Sequence, residues 1–552
     1  MILLRCAKGT GSWKLLLLAA LLPFTLNACT KEGALSLSGR TNAFTQPHVL
    51  RVAMDEDVTT LNPWFSSTAA VSDIAQLTMA YLFRYDQKNR PVPELATFFP
   101  TRANGGVSGN GRVITFHLRH GVRWADGEPF SAADVVFSFK QYLNNRNNVT
   151  DRTGWRYIRT ITSSRPDIVT LTLTQPYAQF EPTFFSSGGP CILPKHLLGK
   201  SVELNDVSYN ALPVGIGPFK VAAWKRADDI VLMPNALYWR GMPKLARIDF
   251  RIIPSRNTTL QAVQTGDIDL WLQAPAYFID RFRRLPGFVV QMEPSYTFSH
   301  IDFNLAHPIL ADVRVRQALR YATDRRMLRD KIAHGIGILQ ESVLSPTYPN
   351  APAMISLLPY NREKAAALLD SAGWLPGPDG IRQKNGRQLR LDFALGSPEV
   401  DSDATVELLR GWWQDIGVAI DVKHYDTKLL FAPYKENGII FSGRYDVTMF
   451  SWQLDPFDSM RSILGCDAFP PYGQNNTHYC NEKTDRLMHA FDRSYNPIVQ
   501  KQLKGGILHA LIHDVPLYPL LIRENIWVAN ADLKHFHPSA ASSFDDMMNV
   551  DI

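Results

Sequence analysis

Cys466, His478 and Cys480 are the side chains whose types and spacing most invite chemistry. Two thiols and an imidazole close together are a zinc ligand set lacking its fourth member; in an oxidising compartment the same thiols close a short disulfide loop instead. No fourth ligand is evident in the sequence, which favours the disulfide in an exported chain. Elsewhere the chemistry-bearing patterns fail on inspection. HExxH and GxSxG are absent, and the 14 histidines form no sequence-local metal cluster. Pro194-Lys195-His196-Leu197-Leu198-Gly199-Lys200-Ser201 ends like a phosphate loop, but its proline cannot supply the turn or the amide donor that the first glycine provides. Gly215-Ile216-Gly217, followed by Pro218, lacks the third glycine of a dinucleotide loop and reads as a tight turn between strands. Cys191 reads as a small buried hydrophobe. A secreted hydrolase would need a constellation that none of these residues makes, so neither enzymatic activity nor a cofactor is expected.

The export reading comes from the leader. Arg5, Lys8 and Lys14 precede an apolar run from Leu15 to Leu26, and small residues follow before Cys29. That is the order of a secretory signal, and the apolar run is well short of the ~20 residues that span a bilayer. Leu26-Asn27-Ala28-Cys29 resembles the lipobox of bacterial lipoproteins, although Asn27 stands where a small or aliphatic residue is usual. The resemblance implies cleavage before Cys29 and lipidation of its thiol, whose acyl chains would tether the protein. Plain secretion is the other reading.

Composition bounds the remainder. The net charge is +6, half of it from the leader, so the rest is nearly balanced and shows no concentrated basic face for nucleic acid. After a Ser/Gly/Thr-containing tether, roughly 500 residues remain, enough for two or three cores. Alternation at Ile114, Phe116 and Leu118, at Val169, Leu171 and Leu173, and at Ile248, Phe250 and Ile252 predicts half-buried strands. Ser131 with Asp134, Asp312 and Asn361 are expected helix caps, the last opening a helix that ends at Gly373. The chain is therefore mixed α/β.

The stretch from Phe116 to Val135, FHLRHGVRWADGEPFSAADV, resembles the signature of the bacterial extracellular solute-binding proteins of family 5, the peptide- and nickel-type receptors of ABC importers. Further blocks agree in order: Leu61-Asn62-Pro63, Pro213 to Phe219, Asn235 to Trp239, Gly266-Asp267-Ile268-Asp269, Phe303-Asn304, Val313 to Leu319, and Ala365 to Trp374. The likeness covers about residues 48 to 550. It implies a two-lobed periplasmic-binding-protein-like α/β fold, type II of the large cluster with an extra subdomain, whose lobes are joined by two hinge strands and close on ligand. The expected division is 1–28 signal peptide, 29–47 tether, 48–300 lobe I with an extra subdomain at about 75–210, 301–518 lobe II, and 519–552 returning to lobe I. The crossovers are expected near Phe298 to Phe303 and Leu517 to Leu521. The signature block itself is expected to serve architecture, with Gly121, Asp126 and Gly127 in turns and Arg119 and Asp134 stabilising the fold.

The resemblance also implies a ligand site. In the peptide-binding members an aspartate three residues after a tryptophan pairs with the ligand's free amino group, and Asp455 follows Trp452 at that spacing. A desolvated ammonium requires such a carboxylate; Asp455 before Pro456 equally suits a turn. Trp452 fits an apolar ligand wall or the core, and Ser66, Ser67 and Thr68 fall where the large lobe offers polar contacts. Phe393 to Val400 contains no arginine where dipeptide receptors carry a cation for the ligand carboxylate. The implied function is an exported, membrane-anchored monomer, periplasmic or at the cell surface, that captures oligopeptides or similar amine-bearing solutes for an ABC permease. An oligosaccharide, a nickel chelate or an opine-like solute is the alternative cargo.

Overall fold

In the computed structural model, residues 42–66, 68–149, 152, 154–187, 189–348, 355–432, 434–454 and 460–552 are described. Among them a ten-stranded mixed sheet runs through the molecule. One half is built from β1 (Val49–Met54), whose VLRVAM run is almost wholly buried, followed by α1 (Ala69–Thr78). A separate three-stranded sheet follows, with β2 (Val113–His117), β3 (Ile158–Arg165) and β4 (Ile168–Leu173) in the order β2-β4-β3 and α2 (Ala132–Leu143) inserted after β2. The chain then returns to the large sheet through β5 (Phe219–Lys225), β6 (Asp229–Pro234) and β7 (Arg247–Ile252), α3 (Arg256–Gln264), and the short β8 (Leu270–Trp271). β7 and β8 flank β1 in parallel.

The second half begins as β9 (Phe288–Phe303), a 16-residue strand, crosses over. It contains α4 (Val313–Tyr321), α5 (Arg325–Lys331), α6 (Arg362–Ser371), β10 (Arg390–Leu395), α7 (Val400–Gln414), β11 (Ala419–His424) and β12 (Val447–Gln453). Helices α8 (Glu482–Arg493) and α9 (Pro497–Asp514) precede β13 (Leu517–Asn530), which crosses back. β9 and β13 pair antiparallel with each other. On one side β9 pairs with β12, which leads to β10 and β11; on the other β13 pairs with β8, which leads to β1. The expected crossover segments Phe298–Phe303 and Leu517–Leu521 thus lie within these two strands.

Separate cores form on the two sides. Leu50, Val52, Ile248, Phe250 and Trp527 pack in one half, and Phe303, Leu391, Phe393 and Trp413 in the other. A further core runs from Trp64 to Ile216 and includes Phe116, Leu171 and Phe139, so the strand alternation buries one face as anticipated. One buried pair joins the two ends of the fold: Arg51 donates to Asp269 at 2.7 and 2.8 Å, and Asp269 also accepts from the Asn530 side chain. This ties β1 to β13 through hydrogen bonds that offset the desolvation of both ions.

The signature block is architectural in geometry. Ser131 and Asp134 form a reciprocal capping box, and Asp134 also accepts from the backbone N–H of Lys195 at 2.9 Å. Arg119 lies over the Trp239 ring, 4.3 Å from its centroid, and Gly127 occupies a left-handed turn at φ 101°. Asp312 and Asn361 cap α4 and α6 as their spacing predicts. Gly215-Ile216-Gly217 differs from the expected turn: neither glycine has positive φ. A Cβ on Gly215 or Gly217 would collide with the carbonyls of Thr78 and Leu77, so these glycines permit backbone contact with the end of α1.

Candidate functional site

The strand that leaves the first half and the strand that returns to it both line a cavity of about 540 Å³. β9 contributes Ser295, Thr297 and Ser299; β13 contributes Leu521, Arg523 and Asn525. α1 closes one side with Ser72, Asp73 and Gln76, and the start of α7 closes the other with Glu399, Asp401 and Ser402. β12 adds Ser451 and Gln453, and the Ser451 and Ser299 hydroxyls meet across the strand pair at 3.0 Å. The volume falls in the range of small-molecule sites, and the lining mixes apolar side chains with hydroxyls and separated charges.

Local strand irregularity shapes this wall. Between Pro294 and Phe298 the β9–β13 register shifts, leaving Ser295 to Thr297 without ladder partners on β13. Ser295, which is buried, compensates by donating its hydroxyl to the Arg523 carbonyl at 2.9 Å. The backbone of Arg523 is therefore held by a side-chain bond where the ladder is interrupted.

The charges are unevenly satisfied. Arg256, at the first position of α3, reaches Glu399 at 3.4 Å across the cavity mouth, and Ser402 donates to the other Glu399 oxygen at 3.0 Å. Burial raises the Asp401 pKa, reinforced by Glu399. Asp73 is 9% exposed and makes no hydrogen bond or ion pair among the described residues; desolvation pushes its carboxyl up to about 7. Arg523 is exposed within the cavity and has no hydrogen-bonded or ion-paired side-chain partner among the described residues; desolvation lowers its pKa and Arg256 adds to this, while Glu399 and Asp401 oppose the shift.

The structure separates the anticipated ligand residues. Asp455, Ser67 and the lipidation candidate Cys29 lie outside the described residues. Trp452 is on β12 opposite Phe298, half-buried, with its ring edge-on to Phe450 at 5.5 Å and packed against an apolar core. It does not line the cavity, although its neighbours Ser451 and Gln453 do. Thr68 is exposed at the N-cap of α1, sharing a 3.2 Å hydroxyl contact with Ser66, and also stands outside the lining. Sequence reasoning missed Asp73 and Arg523. The signal was present in both cases, as a lone acid within the apolar helix AAVSDIAQLT and a cation within the strand LLIRENIWV.

Cys466 and Cys480 are joined as a disulfide with Cα atoms 4.6 Å apart. Their thiols are consumed, and this removes the zinc reading; His478 packs against Phe469 instead. Cys191 is buried and free. Among the described residues Asp467, Asp485 and His489 bring ligand atoms within 4.8 Å of one another. That trio is engaged, since Arg156 pairs with Asp467 at 2.6 Å and the Cys466 N–H donates to Asp485 at 3.0 Å. No helix among the described residues is long and apolar enough to cross a membrane.

Comparison with known proteins agrees with this architecture. The oligopeptide-binding protein AppA of Bacillus subtilis is 25% identical over 495 residues, covering 86% of this chain and 88% of AppA. The nickel-binding periplasmic protein of Escherichia coli is 26% identical over 408 residues, covering 72% of this chain and 75% of that protein. The solved structure of Bacillus subtilis AppA in complex with a nonapeptide matches the fold with a TM-score of 0.80 at 22% identity, over 91% of this chain and 98% of AppA. Residues 90–467 match the profile of the bacterial extracellular solute-binding proteins, family 5 middle region. With a hinge-strand pair, two packed halves and a cavity where they meet, this chain belongs to the family 5 bacterial extracellular solute-binding proteins.

Proposed function

We propose that the protein is the capture component of an ABC importer, taking up oligopeptides or similar amine-bearing solutes in the interlobe cavity and passing them unchanged to a membrane permease. The observation that carries this reading is the cavity itself, which is walled by both lobes and crossed by the two strands that join them. A ligand seated there contacts both lobes, so its binding energy favours the closed arrangement over the open one. Hydroxyls of Ser299 and Ser451 suit backbone amides, and the apolar lining suits varied side chains. Relatives named for oligopeptide and nickel binding support the same use of the fold; a chelate or other non-peptide solute is the second reading, favoured by the nickel-binding relative.

Within this proposal Asp455 receives the ligand ammonium, Cys29 carries the lipid anchor, and the chain acts as a monomer at the outer side of the membrane. The domain limits are those expected from sequence: lobe I at 48–300 with 519–552, and lobe II at 301–518. Native mass spectrometry of freshly purified protein, followed by calorimetry with randomised di-, tri- and tetrapeptides, tests the reading. Retained peptide masses or saturable heat are expected, weakened at least about tenfold by Asp455→Ala. Absence of both retained mass and heat with every peptide pool overturns the peptide assignment. Incorporation of labelled palmitate into wild type but not Cys29→Ser tests the anchor.

A further inference from the structure

The three-stranded unit and the second half of the chain meet along a seam that lies outside the cavity. Tyr157, immediately before β3, accepts a 2.6 Å hydrogen bond from the guanidinium of Arg461, which opens the short helix Arg461–Leu464. Arg461 is 1% exposed; it also holds Asp467 and lies 3.7 Å from Asp492, near the end of α8. Beside it the Ala178 N–H donates to the Asp492 carbonyl at 2.6 Å, and Arg156 reaches Asp467 at 2.6 Å. Tyr495, between α8 and α9, directs its hydroxyl at the carbonyls of Gly111 and Tyr177, at 3.2 and 3.1 Å. None of these residues lines the cavity.

The make-up of the seam is that of a contact that parts. The core of the three-stranded unit takes its buried residues from Trp64 to Ile216, whereas the core beside Arg461, with Ile463, Leu464 and Phe491, takes its own from Tyr296 onward. Among the described residues, neither core has a buried member from the other side, and Tyr495 is the one ring that reaches over to pack on the first. Hydrogen bonds and ion pairs join the two units in place of a shared apolar core, as in interfaces between domains that move. Separation therefore exposes little apolar surface, and Arg461 exchanges its partners for water; with the seam shut, the same guanidinium is desolvated and needs every bond it has. The seam is also close to the cavity along the chain, since Gln453 of the cavity wall precedes Arg461 by only eight residues.

We propose that this seam is a latch: it fastens the three-stranded unit of lobe I to lobe II when the lobes are closed, with Arg461 as its clasp, and it parts when they open. Its strength then sets how long a solute stays in the cavity without any seam residue touching that solute. The retention role rests on the capture reading above; the opening of the seam does not.

Residue-resolved hydrogen exchange on the full chain tests the opening, because the Ala178 amide is bonded across the seam while the Leu171 amide lies in the central strand β4 of the same unit. Ala178 is expected to exchange at least about tenfold faster than Leu171, through an opening smaller than global unfolding. Tyr157→Phe, which keeps the ring and removes the acceptor of the Arg461 bond, should speed Ala178 about tenfold more, the scale of one charge-assisted hydrogen bond, and leave Leu171 unchanged. Tyr495→Phe, which removes a separate bond of the seam, should give the same pattern and decides the matter if Tyr157→Phe does not fold. Equal exchange at Ala178 and Leu171, or equal acceleration of both by the variants, overturns the latch and makes the seam a fixed part of the fold. Stopped-flow release of a randomised free tripeptide pool tests retention: Tyr157→Phe should release it about tenfold faster with little change in association, since such differences reside mainly in dissociation. Release at the wild-type rate from a variant whose seam exchanges faster overturns the retention role and leaves the capture reading standing. If no tripeptide binds wild type, the peptide reading and the retention role fall, and the exchange comparison still decides whether the seam opens.

Discussion

Asp73 makes a prediction of its own because its proton is coupled to folding. In the folded protein its pKa is about 7, against 3.8 for an ordinary aspartate. Between those values the folded state holds a proton that the unfolded chain has released, so stability falls as pH rises through this window. The cost at high pH is on the order of 4 kcal/mol as an upper bound. Asp545, raised to about 7 while accepting from the Ser539 hydroxyl at 2.6 Å, adds a decline in the same direction. Asp73→Asn should leave the urea midpoint unchanged at pH 4 and raise it at pH 8, removing part but not all of the wild-type decline. An equal gap between the two proteins at both pH values would contradict this account. At this scale the sequence revealed what depended on residue type. The Cys466–Cys480 bridge was legible because two thiols in an exported chain have few alternatives. Asp73 and Arg523 stood out only as an acid in an apolar helix and a cation in an apolar strand, because being unpartnered is a property of surroundings that only the fold assembles. Phe393 to Val400 supplies no cation, whereas the open guanidinium stands on the returning strand β13.

Elements were legible where a periodic pattern and a cap agreed. β2, β4 and β7 follow the alternation read from Ile114, Val169 and Ile248, and α2, α4 and α6 start at the caps that their sequences announce. Asp134 shows what one such residue carries. It is 5% exposed and accepts from both the Ser131 and Lys195 N–H groups, joining the start of α2 to the start of the short helix Lys195–Leu198. Asp134→Ala strands both donors, so a loss of about 2 kcal/mol is expected, above the typical cost of a helix cap alone. Urea unfolding should show the lower midpoint with an unchanged slope, and the affinity for a free tripeptide pool should be unaltered because α2 does not line the cavity. A loss of affinity without a loss of stability would point instead to a ligand role. The register shift at Pro294 was not legible, since it depends on how β13 meets β9 and not on either strand alone.

At the scale of the whole molecule the order of blocks implied two hinged lobes, but not which side chains meet across them. The Arg256–Glu399 contact is one such meeting, joining the start of α3 in one half to the cap of α7 in the other. Both side chains are roughly half exposed, at 40% and 50%, so the pair itself contributes no more than about 1 kcal/mol and weakens with salt. Its position gives it a second effect. Removing Arg256 frees Glu399 to compete for Arg523, and it also removes a positive charge that favours an anion nearby. Arg256→Ala should therefore leave folding stability within about 0.5 kcal/mol, as expected for an exposed site. It should weaken binding of a free tripeptide pool about fivefold at low ionic strength, the equivalent of roughly 1 kcal/mol. Near 1 M salt, where the screening length shrinks to about 3 Å, the difference should largely disappear. X-ray scattering adds a structural readout: ligand should contract wild type, and the variant should need more ligand to reach the same dimensions. Calorimetry at both salt levels gives the decisive comparison, because an affinity that does not change at low salt would mean that the bridge neither holds the lobes together nor keeps Arg523 open.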